Sequence, residues 1–424
     1  MSDARRPRWL PALLATLAAA EAGARLLAPR TRTIKPARIE PRSYFTSEEI
    51  DRGARFARGQ LALGLTGTAL ELAGLIVLVK RPPAVPRRLA RLGTGAAAGA
   101  AAAAGLSVGS SLLGLPVAAL SRRRALAVGL VTQSWRGWAG DLVKQAAIGA
   151  PLAGVGGAVI VAMTRRYPRG WWAPAAAGSL GTATLFAALG PVLLDPIFNR
   201  FTPLPEGVTR ADVLELAAAA GVKVGEVYSV DASRRTTAAN AYVTGLGPTK
   251  RVVLFDTLLD RYTRDEIRLV VAHELAHVRH RDVARTLAYA AIVVPAGALA
   301  AQRLSWSLAP ARRGSAGALP ALALAAAVVV TPTGLIAGRL SRAIERRADT
   351  LSLELTDAPD AFISFERRIA VQNVADLDPP RLVTALLASH PPTAERIGAA
   401  VAYRAEELRS PKTTTTTRRT PAGS

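Results

Sequence analysis

Thr263-Arg264-Asp265-Glu266-Ile267-Arg268-Leu269-Val270-Val271-Ala272-His273-Glu274-Leu275-Ala276-His277-Val278-Arg279-His280-Arg281-Asp282 is the stretch whose reading decides the fold. Its first four residues have the capping-box pattern, in which the Thr263 hydroxyl and the Glu266 carboxylate satisfy the first free amides of a helix. No glycine or proline follows before Asp282, and Ile267, Val270, Val271 and Val278 supply an apolar face. The spacing predicts a helix that runs directly into the apolar block beginning at Val283. On that helix His273 and His277 lie four residues apart on one face, so both imidazoles reach a single metal ion, with Glu274 beside them. Zinc suits this donor set, which leaves a position open for water. The ion lowers the pKa of that water, and Glu274 can take its proton during attack on a peptide carbonyl. The chain has only four histidines, so an HExxH by chance is expected about 10⁻³ times per chain of this composition.

Two histidines need a third protein ligand, and with no cysteine in the chain it cannot be a thiolate. His280, three residues past His277 on the same helix, cannot close the site without strain and reads as a polar surface or supporting histidine. The candidate is Glu345, in Ala343-Ile344-Glu345-Arg346-Arg347-Ala348-Asp349; the alternative is an ordinary ion pair with its neighbouring arginines. Asp349 lies one turn on, where a carboxylate can hydrogen-bond a ligand imidazole and fix its tautomer.

Outward from this helix the composition is that of a membrane protein. Of 424 residues, 50% are hydrophobic but only 5% aromatic, and 20% are charged. The mean hydropathy is nevertheless +0.22, so charged and apolar residues are segregated along the chain. Seven apolar blocks are long enough to cross a bilayer: Trp9–Leu27, Leu61–Val79, Thr94–Leu120, Gln145–Met163, Trp172–Leu194, Val283–Ala301 and Ala318–Gly338. The first contains Glu21 and Arg25 and follows Arg5, Arg6 and Arg8. A signal peptide is the alternative reading there; a retained span is favoured because no cleavage site precedes the next apolar block. Glu71, inside the second, is expected to face a cavity or a partner. Trp9, Trp171 and Trp172 fit an interfacial belt. The net charge of +23 is spread through loops between apolar blocks, where arginines meet lipid headgroups. It forms no basic stripe with interleaved aromatics, so no nucleic-acid partner is expected.

Two segments are polar and mixed. The first, 195–282, opens with a proline-rich connector at Phe201–Gly207. It continues with a helix over Thr209–Ala220 ended by Gly221, then β-like runs at Glu226–Val230, Thr236–Thr244 and Arg251–Phe255. The second runs from Arg339, and its end, 410–424, has the composition of a disordered tail.

At this point the chain resembles a family. Phe198-Asn199-Arg200-Phe201-Thr202-Pro203-Leu204-Pro205-Glu206-Gly207, Asn240-Ala241-Tyr242, Val253-Leu254-Phe255-Asp256-Thr257-Leu258-Leu259, the HExxH, Glu345-Arg346-Arg347-Ala348-Asp349 and Ser389-His390-Pro391-Pro392 are similar to the type I CAAX prenyl proteases. These are integral-membrane zinc metallopeptidases of the M48 group. The order of motifs and the seven apolar blocks agree with that layout. The resemblance implies Glu345 as third zinc ligand, and Asp349 as an orienting or proton-donating group. It implies His390 near the metal, able to steady an oxyanion; a structural histidine before Pro-Pro is the alternative. In Asn240-Ala241-Tyr242 the backbone can pair with an extended substrate and Asn240 can hold a carbonyl; the alternative is a plain strand. The family's eukaryotic members carry Ser and His before Asn-Ala-Tyr, where this chain has Thr236-Thr237-Ala238-Ala239. The reaction class is therefore implied and the substrate is not.

The expected fold is mostly α and integral to the membrane, with about seven transmembrane helices and a zincin-like α+β metallopeptidase domain split around the last two spans. Residues 1–194 form the N-terminal membrane region with about five spans. Residues 195–282 are the first part of the peptidase domain, 283–338 two further spans, and 339–409 the second part. The expected function is a membrane zinc endopeptidase with one Zn²⁺ per chain, held by His273, His277 and Glu345, with Glu274 as base. Its partners are a peptide or membrane-protein substrate and the bilayer. It is expected as a multi-pass protein of the cell membrane with a cytoplasmic catalytic face. A non-catalytic scaffold with a structural metal is the alternative that loss of Glu274 would have favoured; a transporter built on Glu71 lacks a paired charge or broken-helix repeat.

Overall fold

The computed structural model describes residues 9–82, 95–245 and 250–409; the expected tail at 410–424, the arginines before Trp9 and the Gly-Leu-Gly-Pro turn from Leu246 on lie outside them. The long helices are α1 (Leu10–Leu27), α2 (Ser47–Lys80), α3 (Ala96–Ala127), α4 (Trp135–Arg166) and α5 (Trp172–Leu193). After α6 (Val208–Ala219) and the HExxH helix α7 (Arg264–Arg279) come α8 (Asp282–Leu308) and α9 (Leu319–Thr356). The described chain closes with α10 (Pro359–Gln372), a short helix at Arg381–Leu387 and α11 (Thr393–Arg409). Seven helices among the described residues, α1 to α5, α8 and α9, are long and apolar enough to cross a membrane, as the seven apolar blocks predict.

Sequence chemistry explains how these helices meet. α3 and α4 pack backbone to backbone: a Cβ at Gly157 would sit 2.4 Å from the Gly99 carbonyl oxygen, so only glycine permits the approach. Glu21 of α1 pairs with Arg25 at 2.5 Å and also with Arg339 of α9, which offsets the burden of a carboxylate in an apolar helix. α1 buries Thr16 and Ala20 completely, and its Ala12 and Ala20 faces pack on α8 and α9. Glu71 is exposed and its Oε1 lies against Gly114 of α3. Trp171 departs from the expected interfacial belt. It is buried and lines a small internal space beside Ser305, Trp306 and Leu319.

The polar segments fold against the ends of these helices. Strands β1 (Phe201–Pro203), β2 (Glu226–Val230), β3 (Ala241–Thr244) and β4 (Arg251–Phe255) form one sheet in the order β1-β2-β4-β3. β2 and β4 are parallel and the other two pairings antiparallel, so β3 is an edge. The expected strand from Thr236 begins only at Ala241. Thr236 and Thr237 bond instead to Leu130 and Gly129 in the α3–α4 loop. The proline-rich connector, for its part, contributes β1. The core beneath the sheet joins Val227, Val252 and Leu254 to Leu216 of α6 and to Val271 and Leu275 of α7.

Two features place the site. α7 does not run into α8 as the sequence predicts: the chain breaks at His280 and Arg281, with Arg281 left-handed at φ 55°, an uncommon conformation for a residue with a Cβ. α9, in contrast, continues unbroken from its apolar half through position 339 to Thr356. At about 1.5 Å per residue it is longer than a bilayer core is thick. Its C-terminal turns therefore project among the polar segments, where Leu340, Ile344 and Leu353 are buried.

Candidate metal centre and active site

α7 forms where its local signals say it should. Thr263 N–H donates to Glu266 Oε2 at 2.8 Å, and Glu266 N–H donates back to Thr263 Oγ1 at 3.4 Å. Ile267, Val271 and Leu275, spaced by four, are buried in the core beneath the sheet. This fixes the rotation of the helix and turns His273 and His277 to its other side.

There the two imidazoles converge. Their Nε2 atoms are 3.2 Å apart. Glu345 of α9 brings Oε2 to 3.3 Å from His273 Nε2 and Oε1 to 3.8 Å from His277 Nε2. One ligand atom from each of these three residues lies within 4.8 Å of the others. Each imidazole turns its Nδ1 to a carboxylate: His273 to Asp349 at 3.0 Å, His277 to Asp282 at 3.1 Å. With an ionised carboxylate at each Nδ1, the ring protons sit there. Two Nε2 atoms and a carboxylate then face one another, a cluster that attracts positive charge, whether a proton or a metal ion. The spacing suits zinc, since bonds of about 2.0–2.1 Å in tetrahedral geometry put ligand atoms about 3.3 Å apart.

The electrostatics follow from burial and pairing. Burial opposes a charge on His273, but Asp349 and Glu345 outweigh it and push its pKa up to about 10. Burial also opposes the charge on Asp349, yet Arg396 and His273 hold it well below the usual carboxylate range. Glu345 likewise resists its burial and lies low because of His273 and His277. Glu274 is the exception: burial dominates and raises it, with the two imidazoles only partly opposing. A carboxylate so raised is a stronger base than an exposed one.

Glu274 and His273 line a cleft of about 520 Å³ together with Asn240, Phe362, Phe365 and His390. His390 is largely exposed, with Nε2 3.6 Å from Glu345 Oε2 and Nδ1 2.9 Å from Ser389 Oγ. Its loop is pinned by Arg342 of α9, which donates to the Ala385 and Ala388 carbonyls. Asn240 precedes the edge strand β3 and lines the cleft. Ala241 is buried in the core, and the Tyr242 hydroxyl donates to Asp195 at 3.3 Å. The structure thus places Asn240, His273, Glu274 and His390 on one cleft, with His277, Glu345 and Asp349 behind it in contact with His273, while the Ala241 and Tyr242 side chains point elsewhere. His280 caps α7 through its N–H to the Ala276 carbonyl.

Sequence reasoning missed four residues. Arg396 of α11 donates to both oxygens of Asp349, at 2.9 and 2.6 Å, and lies 2.6 Å from Glu366 of α10. Asp282, which bonds His277, is also held by Arg347. The alternative reading pairs Glu345 with its neighbouring arginines, whereas Arg346 pairs with Glu395 and Arg347 is buried against Asp282. A basic residue next to an acidic motif, shielded by apolar neighbours, was the available signal.

Comparison with known proteins agrees with this geometry. The model of Peptidase family M48 matches residues 203–404. The chain is 31% identical over 300 residues to an uncharacterized metalloprotease, YhfN, of Bacillus subtilis, covering 69% of this chain and 70% of that one. It is 32% identical over 218 residues to the CAAX prenyl protease 1 homolog of Arabidopsis thaliana, covering 49% of this chain and 51% of the plant protein. The chain therefore spans about half the length of that plant relative. The crystal structure of S. mikatae Ste24p superposes with a TM-score of 0.72 at 20% identity, over 93% of this chain and 99% of that one, which is a likeness of fold.

Proposed function

The chain belongs to peptidase family M48, and on that premise we propose that it is a zinc-dependent endopeptidase of the cell membrane whose site is His273, His277, Glu345 and Glu274. The observation that carries the reading is the convergence of two Nε2 atoms and one carboxylate, within 4.8 Å, beside the half-buried carboxylate of Glu274, whose charge burial opposes. In this reading residues 195–282 and 339–409 are the two parts of one peptidase domain, separated by α8 and the apolar half of α9.

Zinc bound by His273, His277 and Glu345 supplies Lewis acidity, lowering the pKa of water and polarising a carbonyl. Glu274 takes the proton of the attacking water and returns it to the leaving amine. Asp349 holds the proton of His273 on Nδ1, so that Nε2 keeps its lone pair. His390, on the rim of the cleft, donates to the oxygen that becomes negative as the carbonyl is attacked. The free edge of β3 pairs with an extended peptide, and the Asn240 side chain holds a substrate carbonyl. The substrate is a peptide or a segment of a membrane protein presented near the bilayer surface, and the catalytic face is cytoplasmic.

The test combines metal analysis with proteolysis of a prenylated peptide and of the same peptide without the lipid. One zinc per chain is expected in the wild type, and it is lost in the His277→Ala/Glu345→Ala double variant. Glu274→Gln is expected to keep the metal and lose about 10²–10⁴-fold in turnover. A stoichiometry near one in the double variant, or full turnover in Glu274→Gln, overturns the assignment. Cleavage of the lipid-free peptide alone would separate this substrate class from that in the name of the plant relative.

A further inference from the structure

Each candidate ligand imidazole has a carboxylate close to its Nδ1, supplied by a different part of the chain. His273 is held by Asp349, which is held by Arg396. His277 is held by Asp282, which is held by Arg347. The second set joins three helices. His277 is on α7, Asp282 is the first residue of α8, and Arg347 is on α9, two residues past Glu345.

Each side chain of the second set is placed by an identifiable cause. The left-handed Arg281 ends α7 and turns Asp282 back toward the last turn of that helix. Asp282 then opens α8, where the helix dipole favours a negative charge. Its oxygens divide the work. Oδ2 accepts from His277 Nδ1 at 3.1 Å. Oδ1 accepts from Arg347 and lies 3.5 Å from Arg285 Nε, and Arg285 is itself tied to the Leu27 carbonyl at 2.6 Å. Asp282 and Arg347 are 7% and 4% exposed, so neither charge is answered by water. A buried carboxylate bonded to one imidazole alone would leave an oxygen unpaired at substantial cost, and the arginine removes that cost.

We propose that Arg347 and Asp282 are a positioning pair that holds His277 with Nε2 toward Glu345, and so sets how tightly the metal is held. The inference rests on the metal reading above. Arg347 acts through Asp282 and not on the metal. Its effect must therefore vanish once the carboxylate that Arg347 and His277 share is gone. An ion pair serving only the fold would show no such dependence.

The experiment uses the full chain in nanodiscs, with zinc affinity read by competition against a chelator and the site geometry read from the visible absorption of the cobalt-loaded protein. Asp282→Asn is expected to weaken zinc binding about 10–100-fold, the range for loss of a partner that orients a ligand. It should also alter the cobalt spectrum. Arg347→Gln is expected to weaken binding by a smaller factor, and to add nothing when combined with Asp282→Asn. Asp282→Glu, which keeps a carboxylate, should recover part of the affinity. Wild-type affinity in Asp282→Asn, or equal effects of Arg347→Gln with and without Asp282, overturns the proposal. If Asp282→Asn is not monodisperse, Arg347→Gln decides alone, and an unchanged affinity and spectrum reject the pair. A wild-type protein that binds no zinc, or binds it as tightly after His277→Ala, instead defeats the metal reading itself.

Discussion

Replacing Asp349 by asparagine tests how the first imidazole is held. Asp349 is 3% exposed and makes three close contacts: His273 Nδ1 at 3.0 Å, and Arg396 through Nε at 2.9 Å and Nη2 at 2.6 Å. Asparagine keeps the shape but has one acceptor oxygen, so it can serve the imidazole or the guanidinium, not both. If it abandons the imidazole, zinc affinity should fall about 10–100-fold, which is about 1.4–2.7 kcal/mol. The same change leaves Arg396 with Glu366 as its remaining carboxylate. Breaking one side of a buried pair costs about 3–5 kcal/mol of folding stability, a large share of a typical total. Affinity must therefore be measured at a temperature where circular dichroism shows the variant folded, beside turnover at several pH values. The alternative role for Asp349 is proton donor to the leaving amine, but both of its oxygens are occupied and it is held ionised by Arg396 and by its contact with His273. Unchanged zinc affinity with reduced turnover and a displaced basic limb of the pH–rate profile would refute the orienting role and restore the donor. Wild-type values for both would remove Asp349 from the mechanism.

Two further outcomes are expected. Asp212, buried on α6, is held below the usual carboxylate range by its hydrogen bonds to Arg264 and then by Arg268, against the effect of burial. Its contribution to stability is present above its unfolded value of about 3.9 and is lost as pH falls through the lower folded value. Asp212→Asn should thus lower the unfolding temperature at neutral pH and flatten its acid limb; a parallel shift at all pH values would show that the charge is not responsible. For orientation, a reporter fused after Ala400 should be active on the cytoplasmic side, and activity only on the outer side would reverse the topology.

What the sequence made legible was what neighbours in sequence decide. The capping box, the four-residue spacing of Ile267, Val271 and Leu275, and the pairing of His273 with His277 all lie within one helix, so local periodicity suffices. The apolar blocks are legible for a similar reason, since length and hydropathy are local quantities. Glu345 was ambiguous from spacing, because an acidic residue among arginines has the same pattern on any exposed helix; only the family resemblance separated the two readings. Asp282 was hidden by a wrong expectation about the backbone. Five residues along an unbroken helix place it about 140° around from His277, out of reach, and only the left-handed Arg281 brings it back. The early start expected for β3 failed because Thr236 and Thr237 spend their hydrogen bonds on the α3–α4 loop, a contact from a hundred residues away that no strand propensity encodes.

These long-range contacts share a direction. From Arg342 to Asp349, α9 sends a side chain to almost every other part of the site. Arg342 goes to the loop of His390, Glu345 to the converging imidazoles and Arg346 to Glu395 of α11. Arg347 goes to Asp282 of α8, and Asp349 to His273 of α7 and Arg396 of α11. All are on one helix whose other half is apolar and fit to cross a membrane. A rigid helix cannot move one of these side chains without moving the rest, since its pitch fixes their relative positions. The packing of α9 on α1 and α8 therefore positions Glu345, the proposed third ligand, as surely as the local residues do. That explains why the membrane helices and the peptidase segments are interleaved in the chain: the element that fixes the chemistry is itself a span.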